Sequence, residues 1–375
     1  MENLRQVVEN KIAQKLRKGM SNVEIATKRL QAEGKIARDF TFEVGNNRKG
    51  EEPCINFRPD NSKVGATFKM PNGPENFTIN SFAIKQVAEK LKIPSTYLTA
   101  LLAGEEWQKT LGYEIMNTHN GWLDRSKILV RAIGNEVRGV LSDSYRRLDS
   151  QLIFGSHIGE VFNNGAQLSD AFMDDTKLMV ESILPQPIEL VTPKNGVIYL
   201  AFGTRISTSD YGDGALELRS FIMQGVCLNG AVRESVLKQI HLGSKLPENM
   251  ALSAETYRLD SQASASAIRD LTKNLYSTDV IKNRMIEVNA ASDMTVDPVT
   301  ELRNLYGVGK LLKGERDSIG ELLMQNREED GLNGESTLWK LTQGITAFAN
   351  KENISERRRF ELQEVAGSLF DRVKV

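Results

Sequence analysis

The sequence predicts an α+β fold: a twisted antiparallel sheet with packed helices, followed by a helical C-terminal region. Alternating apolar runs separated by Gly, Asn and Pro concentrate between residues 50 and 250, as is typical of strands. After about Met250 the apolar positions recur at helical spacing instead. A chain of 375 residues exceeds one typical domain. We therefore expect a basic helical arm over 1–45, an α+β core domain over 46–250 and a helical region over 251–375.

The arm is predicted to be helical because Leu4, Val7, Val8 and Ile12 are spaced to lie on one helix face. Residues 1–40 hold nine Lys and Arg against five acids, a net charge of +4. An amphipathic helix packing on the body or on a partner explains this pattern, and an arm that binds nucleic acid is the alternative.

Short strands and loops are predicted over 43–79, where Gly, Asn and Pro alternate with isolated Phe and Val. Ser81 is expected to cap a helix that runs to about Leu91. Pro94 interrupts, and a second short helix is expected over Tyr97 to Leu102.

A β-hairpin is the clearest local signal. The strand-like runs Ile128–Ile133 and Glu136–Leu141 are joined by Gly134-Asn135, a two-residue turn. A helix is then expected over 148–162, and a second helix over 232–240. Further strands are predicted over 178–183, 197–206 and 215–224. Two amphipathic helices, 338–349 and 355–370, complete the C-terminal region.

Composition excludes several classes of protein. The 48 Lys and Arg against 49 Asp and Glu give a net charge of −1, which excludes a wholly basic nucleic-acid coat. Two cysteines cannot form a disulfide framework or a Cys-rich zinc site. The N-terminus lacks the apolar segment of a signal peptide, and no run approaches the length of a membrane span. We therefore expect a soluble cytoplasmic protein.

Motifs of nucleotide-dependent and hydrolytic enzymes are missing from the sequence, so we expect no catalytic residue and no cofactor. Gly307–Lys310 reads GVGK, but it lacks the spacing and the hydroxyl of a phosphate-binding loop. It fits a turn between helices, and a glycine-rich hairpin that grips a DNA backbone uses similar residues. The acidic pairs Asp174-Asp175 and Asp210 with Asp213 could bind Mg²⁺ in a nuclease, although such pairs are commoner as solvated turn residues.

The basic hairpin carries the functional hypothesis. Residues two apart share one face of a strand, so Arg125, Lys127 and Arg131 would line one side. Cations that hold phosphates and aromatic rings that stack on bases are what single-strand binding requires. The predicted nucleic-acid site comprises Arg125, Lys127, Arg131, Arg138, Arg146, Arg147, Trp122 and Tyr145. The alternative is a sheet surface whose arginines pair with nearby acids.

Two other features have structural explanations. Arg357, Arg358 and Arg359 spread over about 200° of a helix, so they cannot all face one ligand, and a solvated helix end is expected. Cys227 follows an apolar strand and is more simply a small buried residue than a nucleophile.

Several ordered blocks resemble a phage- and plasmid-associated family catalogued as domain of unknown function 932. The matching positions are Arg131, Val137-Arg138, Leu141-Ser142-Asp143, Tyr145, Leu148-Asp149, Val226-Cys227, Asn229-Gly230, Thr337-Leu338-Trp339 and Ile345-Thr346. The resemblance spans roughly residues 80–367, with departures at Gly139, Arg146 and Gly344. It implies origin in a mobile element of a bacterial host cell, often beside functions of single-stranded-DNA metabolism, and supplies no catalytic residue.

The expected function follows from the basic hairpin and from the family resemblance together. The architecture is similar to that of phage single-strand annealing proteins, so we expect a homo-oligomer that binds single-stranded DNA and promotes annealing or recombination without ATP. The alternative is a non-catalytic interaction protein of a mobile element that binds or blocks a host protein through its helical C-terminal region.

Overall fold

The computed structural model describes residues 4–44, 52–61, 63–70, 72–121, 127–143, 145, 150–194, 196–225, 229–239, 253–325, 332 and 334–373. The helices are α1 (Leu4–Ile36), α2 (Ser81–Lys90), α3 (Ser95–Ala103), α4 (Glu106–Asn120), α5 (Ser150–Asn163), α6 (Ala254–Leu275), α7 (Thr278–Asp293), α8 (Pro298–Gly307), α9 (Lys313–Gln325), α10 (Leu338–Ala349) and α11 (Glu356–Ser368), followed by a 3-10 helix (Leu369–Arg372). The strands are β1 (Ala37–Glu43), β2 (Ile55–Asp60), β3 (Lys63–Met70), β4 (Gly73–Ile79), β5 (Lys127–Ile133), β6 (Glu136–Ser142), β7 (Gln167–Met173), β8 (Leu178–Ile183), β9 (Ile188–Thr192), β10 (Gly196–Thr208), β11 (Leu216–Gln224) and β12 (Asn229–Gln239).

The first sheet has the order β1-β5-β6-β4-β3-β2. Its strands pair antiparallel except β4 and β6, which run parallel. The alternating apolar residues of these strands form one core with α2, α3 and α4. Phe68 and Phe77 pack edge to face at its centre, with ring centroids 5.5 Å apart.

The second sheet has the order β12-β11-β10-β8-β7, and β9 pairs with the outer part of β10. Leu200 and Phe202 of β10 face the large core that the C-terminal helices complete. Tyr199 and Ala201 face the opposite side, where α1 packs. Since both faces are covered, the burial of β10 is nearly continuous.

The long helix α1 joins the two sheets. Val8, Ile12 and Leu16 pack on the second sheet, as their helical spacing predicts. Gly19 allows the helix to approach β7 closely, since a Cβ added there would lie 1.9 Å from the Ser169 carbonyl oxygen. The chain then enters β1, which pairs with β5 of the first sheet. The basic arm is therefore packed on the body rather than extended from it.

The C-terminal region is helical, as predicted. Eleven of the twelve residues of α10 are buried. Trp339 lies in the core with its ring centroid 6.1 Å from that of Phe370. Thr337 caps α10 by accepting a hydrogen bond from the Lys340 amide at 3.2 Å. The block TLWKLTQGITAF is thus a core helix.

The α+β class, the hairpin and β8 agree with the sequence predictions, but several local predictions were wrong. Residues 229–239 form strand β12 instead of the helix predicted over 232–240, because pairing with β11 supplies its backbone partners. The helix α4 occupies Glu106–Asn120, where no helix was predicted. Asn80, not Ser81, caps α2 by accepting from the Phe82 amide at 2.7 Å.

Candidate nucleic-acid interface

The basic hairpin forms as β5 and β6, and Gly134 takes the positive φ of 57° that its turn requires. Lys127, Arg131, Arg138 and Tyr145 of the predicted site fall within the described residues. The other predicted site residues lie outside them: Trp122, Arg125, Arg146 and Arg147.

The two faces of β5 separate as the strand period predicts. Ile128 and Val130 face the core of the first sheet. Leu129 faces the other way and packs with Leu141 and Tyr145 in a small cluster. This second face, which also carries Arg131, is directed at the loop after β10 instead of open solvent.

Arg131 holds the two sheets together. Its Nε donates to Asp39 Oδ1 at 2.8 Å, across the β1–β5 pair, and its Nη1 donates to the Asp210 carbonyl oxygen at 2.6 Å. The guanidinium also lies 5.9 Å from the ring centroid of Tyr211. Asp210 and Asp39 raise the pKa of Arg131 although burial opposes this, so the side chain stays charged.

Arg138 is engaged in a similar way. Its Nη1 lies 2.8 Å from Glu33 Oε1 of α1, and its Nε donates to Glu136 Oε2 at 3.2 Å. Its Nη2 lies 3.7 Å from Asp175 Oδ1. The sequence left open whether the hairpin arginines form a groove or an ion-pair network, and these two belong to a network.

Tyr145 is buried, and its hydroxyl donates to the Ser209 carbonyl oxygen at 3.1 Å. Burial raises its pKa well above the ordinary tyrosine range. Its ring therefore presents no open face for stacking. Tyr211, which sequence reasoning missed, lines the cleft beside Arg131, and burial raises its pKa to about 12.

A cleft of about 350 Å³ opens where α1, β5, α5 and the loop after β10 meet. Its charged lining comprises Arg131, Lys177, Glu33, Asp174 and Asp210, and Ser150 and Gln151 add neutral polar groups. A smaller apolar cavity of about 190 Å³ shares Leu30, Gln151 and Leu178 with it. Polar groups converging on a cleft with an apolar extension are typical of ligand sites.

The acidic pairs are occupied by donors of this chain. Asp213 accepts both Nη atoms of Arg357 at 2.8 Å and the Thr176 hydroxyl at 2.6 Å. Asp174 closes a turn by accepting the amides of Thr176 and Lys177 at 2.8 and 2.7 Å. Within the described ranges, no group of three or more His, Cys, Asp or Glu side chains could hold a metal ion.

The three consecutive arginines point to three different elements, as their helical spread predicts. Arg357 pairs with Asp213, Arg358 with Glu315 at 2.7 Å, and Arg359 with Asp170 at 3.1 Å. Arg357 is exposed, as a solvated helix end predicts, whereas Arg358 and Arg359 are partly buried and tie α11 to α9 and to the second sheet. Cys227 lies outside the described residues.

The GVGK segment is a turn between α8 and α9, as expected. The backbone amides of Val308, Gly309 and Lys310 donate to carbonyl oxygens at the end of α8. The Leu312 amide donates to Glu315 Oε2 at 2.7 Å. Because these amides are occupied, the turn cannot cradle a phosphate through its backbone.

Comparison with family models, curated proteins and solved structures finds no match. The resemblance to family 932 therefore stays a prediction, and so does any function inferred from it. In the part of the chain that the structure describes, no helix has the length and apolar character to cross a bilayer.

Proposed function

We propose that the protein is a mobile-element protein that binds single-stranded DNA and promotes its annealing without ATP. The observation that carries this proposal is the 350 Å³ cleft, which brings Arg131 together with Lys177 and several neutral polar groups. In this proposal a base enters the cleft, and cations around the mouth hold the neighbouring phosphates.

The lining suits a base better than a phosphate. Glu33, Asp174 and Asp210 would repel a phosphate inside the cleft. A carboxylate that already accepts from this chain keeps further lone pairs, and Gln151 can donate as well as accept, so the lining offers the mixed groups that a base edge requires. Unstacked bases are exposed in single strands but lie inside a duplex, so such a site favours single-stranded DNA.

Two lysines near the mouth are suited to phosphates. Lys35 is exposed and lies in the chain between the lining residues Gly34 and Ala37. Lys177 lines the cleft and is partly exposed. With the carboxylates that the structure describes, neither forms an ion pair, whereas Arg131 and Arg138 do. The lysines can therefore be removed without breaking a structural pair.

The test measures fluorescence anisotropy of labelled single-stranded and duplex oligonucleotides in EDTA at several salt concentrations. The wild type should prefer single strands, with affinity falling steeply as salt rises. The variant Lys35→Ala/Lys177→Ala should bind about tenfold more weakly. Its log–log salt slope should fall by about 1.4, since each lost phosphate contact on a single strand contributes about 0.7.

The variant Lys273→Ala/Lys282→Ala is the matched control, because it removes two exposed lysines on α6 and α7. It should bind as the wild type does. No binding of single strands at low salt by the wild type would refute the proposal. Equal loss of DNA affinity in both variants would indicate a general electrostatic attraction and would contradict the assignment of the DNA site to the cleft.

Annealing needs its own assay. Complementary strands carrying a donor and an acceptor dye should pair faster with the protein than without it, in EDTA and without nucleotide. Sedimentation with and without DNA gives the oligomeric state, and we expect a homo-oligomer that repeats the site along the strand. A protein that binds single strands but leaves the pairing rate unchanged would contradict the annealing role alone.

A second candidate function is binding of a host protein through the helical region. Tyr306, Val308 and Leu312 expose 42%, 71% and 64% of their surface around one turn. Three large apolar side chains exposed so close together are unusual unless they contact a partner. A pull-down with the wild type and a Val308→Asp/Leu312→Asp variant tests this. A partner retained by both proteins would show that the turn is not its binding site.

A further inference from the structure

A second group of charged residues, some buried and some partly exposed, lies between α1, α11 and the second sheet. Lys15 comes from α1, Glu181 from β8, Arg205 from β10, and Arg359 from α11. With Asp170 of β7 they surround a small cavity of about 30 Å³. Arg205 is only 2% exposed, so this guanidinium is effectively removed from water.

The two carboxylates of this cluster are each used by a cation. Glu181 accepts Arg205 Nε at 2.9 Å and also its Nη2, and Lys15 Nζ lies 4.0 Å from its other oxygen. Asp170 accepts Arg359 Nη2 at 3.1 Å and Asn22 Nδ2 at 2.8 Å. The surrounding cations lower the pKa of Glu181 against the effect of its burial, which keeps it ionised.

Two donors of the cluster are left over. Arg205 Nη1 and Arg359 Nε are buried and make no hydrogen bond within the described part of the chain. Both guanidinium carbons lie close to the ring of Phe360, at 4.8 and 4.7 Å from its centroid. Leaving a buried donor unsatisfied costs about 1–3 kcal/mol, and more for a charged group.

The charges around the cavity do not balance. Three cations (Lys15, Arg205 and Arg359) face two carboxylates (Asp170 and Glu181), so the lining carries +1. Glu356 is exposed and lies outside the lining, with its Oε1 4.0 Å from Arg359 Nη2. An uncompensated charge inside a protein is costly unless a counter-ion accompanies it. The cavity of about 30 Å³ has room for a small occupant such as a water molecule or a monatomic ion.

We propose that this cavity binds one halide-sized monovalent anion, with chloride as its ligand in solution. The anion accepts from Arg205 Nη1 and Arg359 Nε and neutralises the excess charge. Since the site takes residues from α1, α11 and the second sheet, its occupation stabilises the packing of both chain ends on that sheet. This site is separate from the cleft and does not depend on the proposed DNA binding.

The experiment replaces chloride by gluconate at constant ionic strength and follows the thermal unfolding midpoint of the full chain. Gluconate is too large for the cavity, so the midpoint should rise saturably with chloride, and bromide should act in the same way. The variant Lys15→Gln removes the excess charge and should weaken the chloride dependence about tenfold. Lys18→Gln, an exposed lysine of the same helix, is the matched control and should retain it.

A midpoint that does not respond to the exchange of chloride for gluconate would overturn the proposal. An equal response of Lys15→Gln and Lys18→Gln would also overturn it, because it would indicate a general salt effect. If Lys15→Gln does not fold, wild-type crystals grown in bromide decide the question. An anomalous peak beside Arg205 Nη1 and Arg359 Nε supports the site, and a water molecule there refutes it.

Discussion

Replacing Arg138 by alanine tests whether this hairpin arginine stabilises the fold or binds a ligand. The Arg138 side chain is 10% exposed and has three carboxylates within reach. If Arg138 mainly served DNA, its loss would weaken binding and leave stability unchanged. Because its guanidinium joins α1 to the hairpin through Glu33, we expect the opposite: the variant Arg138→Ala is less stable.

The expected loss lies between two limits. Breaking a buried ion pair by removing one partner costs about 3–5 kcal/mol, and an exposed pair contributes about 0–1 kcal/mol. Glu33 is 13% exposed and keeps Arg29 as a second partner, with Arg29 Nε 2.8 Å from its Oε1. Glu136 is 23% exposed and can regain water. We therefore expect Arg138→Ala to lower the free energy of unfolding by about 2–3 kcal/mol.

Urea denaturation followed by tryptophan fluorescence and by circular dichroism measures this loss as a shift in midpoint. Arg58→Ala is the matched control, because Arg58 is a half-buried arginine of the same sheet whose Nε makes one hydrogen bond, to Thr67 Oγ1 at 3.3 Å. Its midpoint should stay close to that of the wild type. Adding Glu33→Gln to Arg138→Ala should recover part of the loss. An Arg138→Ala midpoint equal to that of the wild type would refute the structural role.

Two further predictions concern stability. Gly19→Ala should lower the free energy of unfolding by about 1–3 kcal/mol, because the added Cβ would meet the Ser169 carbonyl. Gly159→Ala in α5 should raise it by about 0.5–1 kcal/mol, because a Cβ there meets nothing within 4 Å. Equal denaturation midpoints for the two variants would contradict the packing of α1. Burial lowers the pKa of His157 to about 3, below its unfolded value of about 6.5. The stability that comes from burying the neutral imidazole is therefore complete above pH 6.5 and is lost as the pH falls toward 3. Relative to His157→Gln, the wild type should lose about 2 kcal/mol between pH 7 and pH 5, and an unchanged difference in denaturation midpoints at the two pH values would contradict this.

The sequence predicts those elements whose signal is local. The hairpin is such a case, because the turn Gly134-Asn135 and the flanking alternation lie within fifteen residues. Strand β12 is the opposite case: its sequence has helix-forming residues, and only pairing with β11 makes it a strand. Pairing across the sheet overrode local propensity there.

The candidate site was harder to predict for the same reason. The parity of β5 is a local property, and it correctly places Arg131 on the face opposite Ile128 and Val130. The partners of Arg131 are not local, since Asp39 is 92 residues away and Asp210 is 79 residues away. A count of charges along the segment therefore found the cations and missed the acids that neutralise them.

Arginine and lysine are used differently in this chain, and the difference indicates which of them can bind phosphate. A guanidinium makes several directed hydrogen bonds and tolerates partial burial, so arginine suits internal ion pairs. Arg131 and Arg138 of the hairpin form such ion pairs, and so do Arg358 and Arg359 of α11. A strongly hydrated ammonium stays at the surface more readily. Any phosphate contact near the cleft should consequently depend on lysine, which is why Lys35→Ala/Lys177→Ala discriminates better between a groove and a network than any arginine variant does.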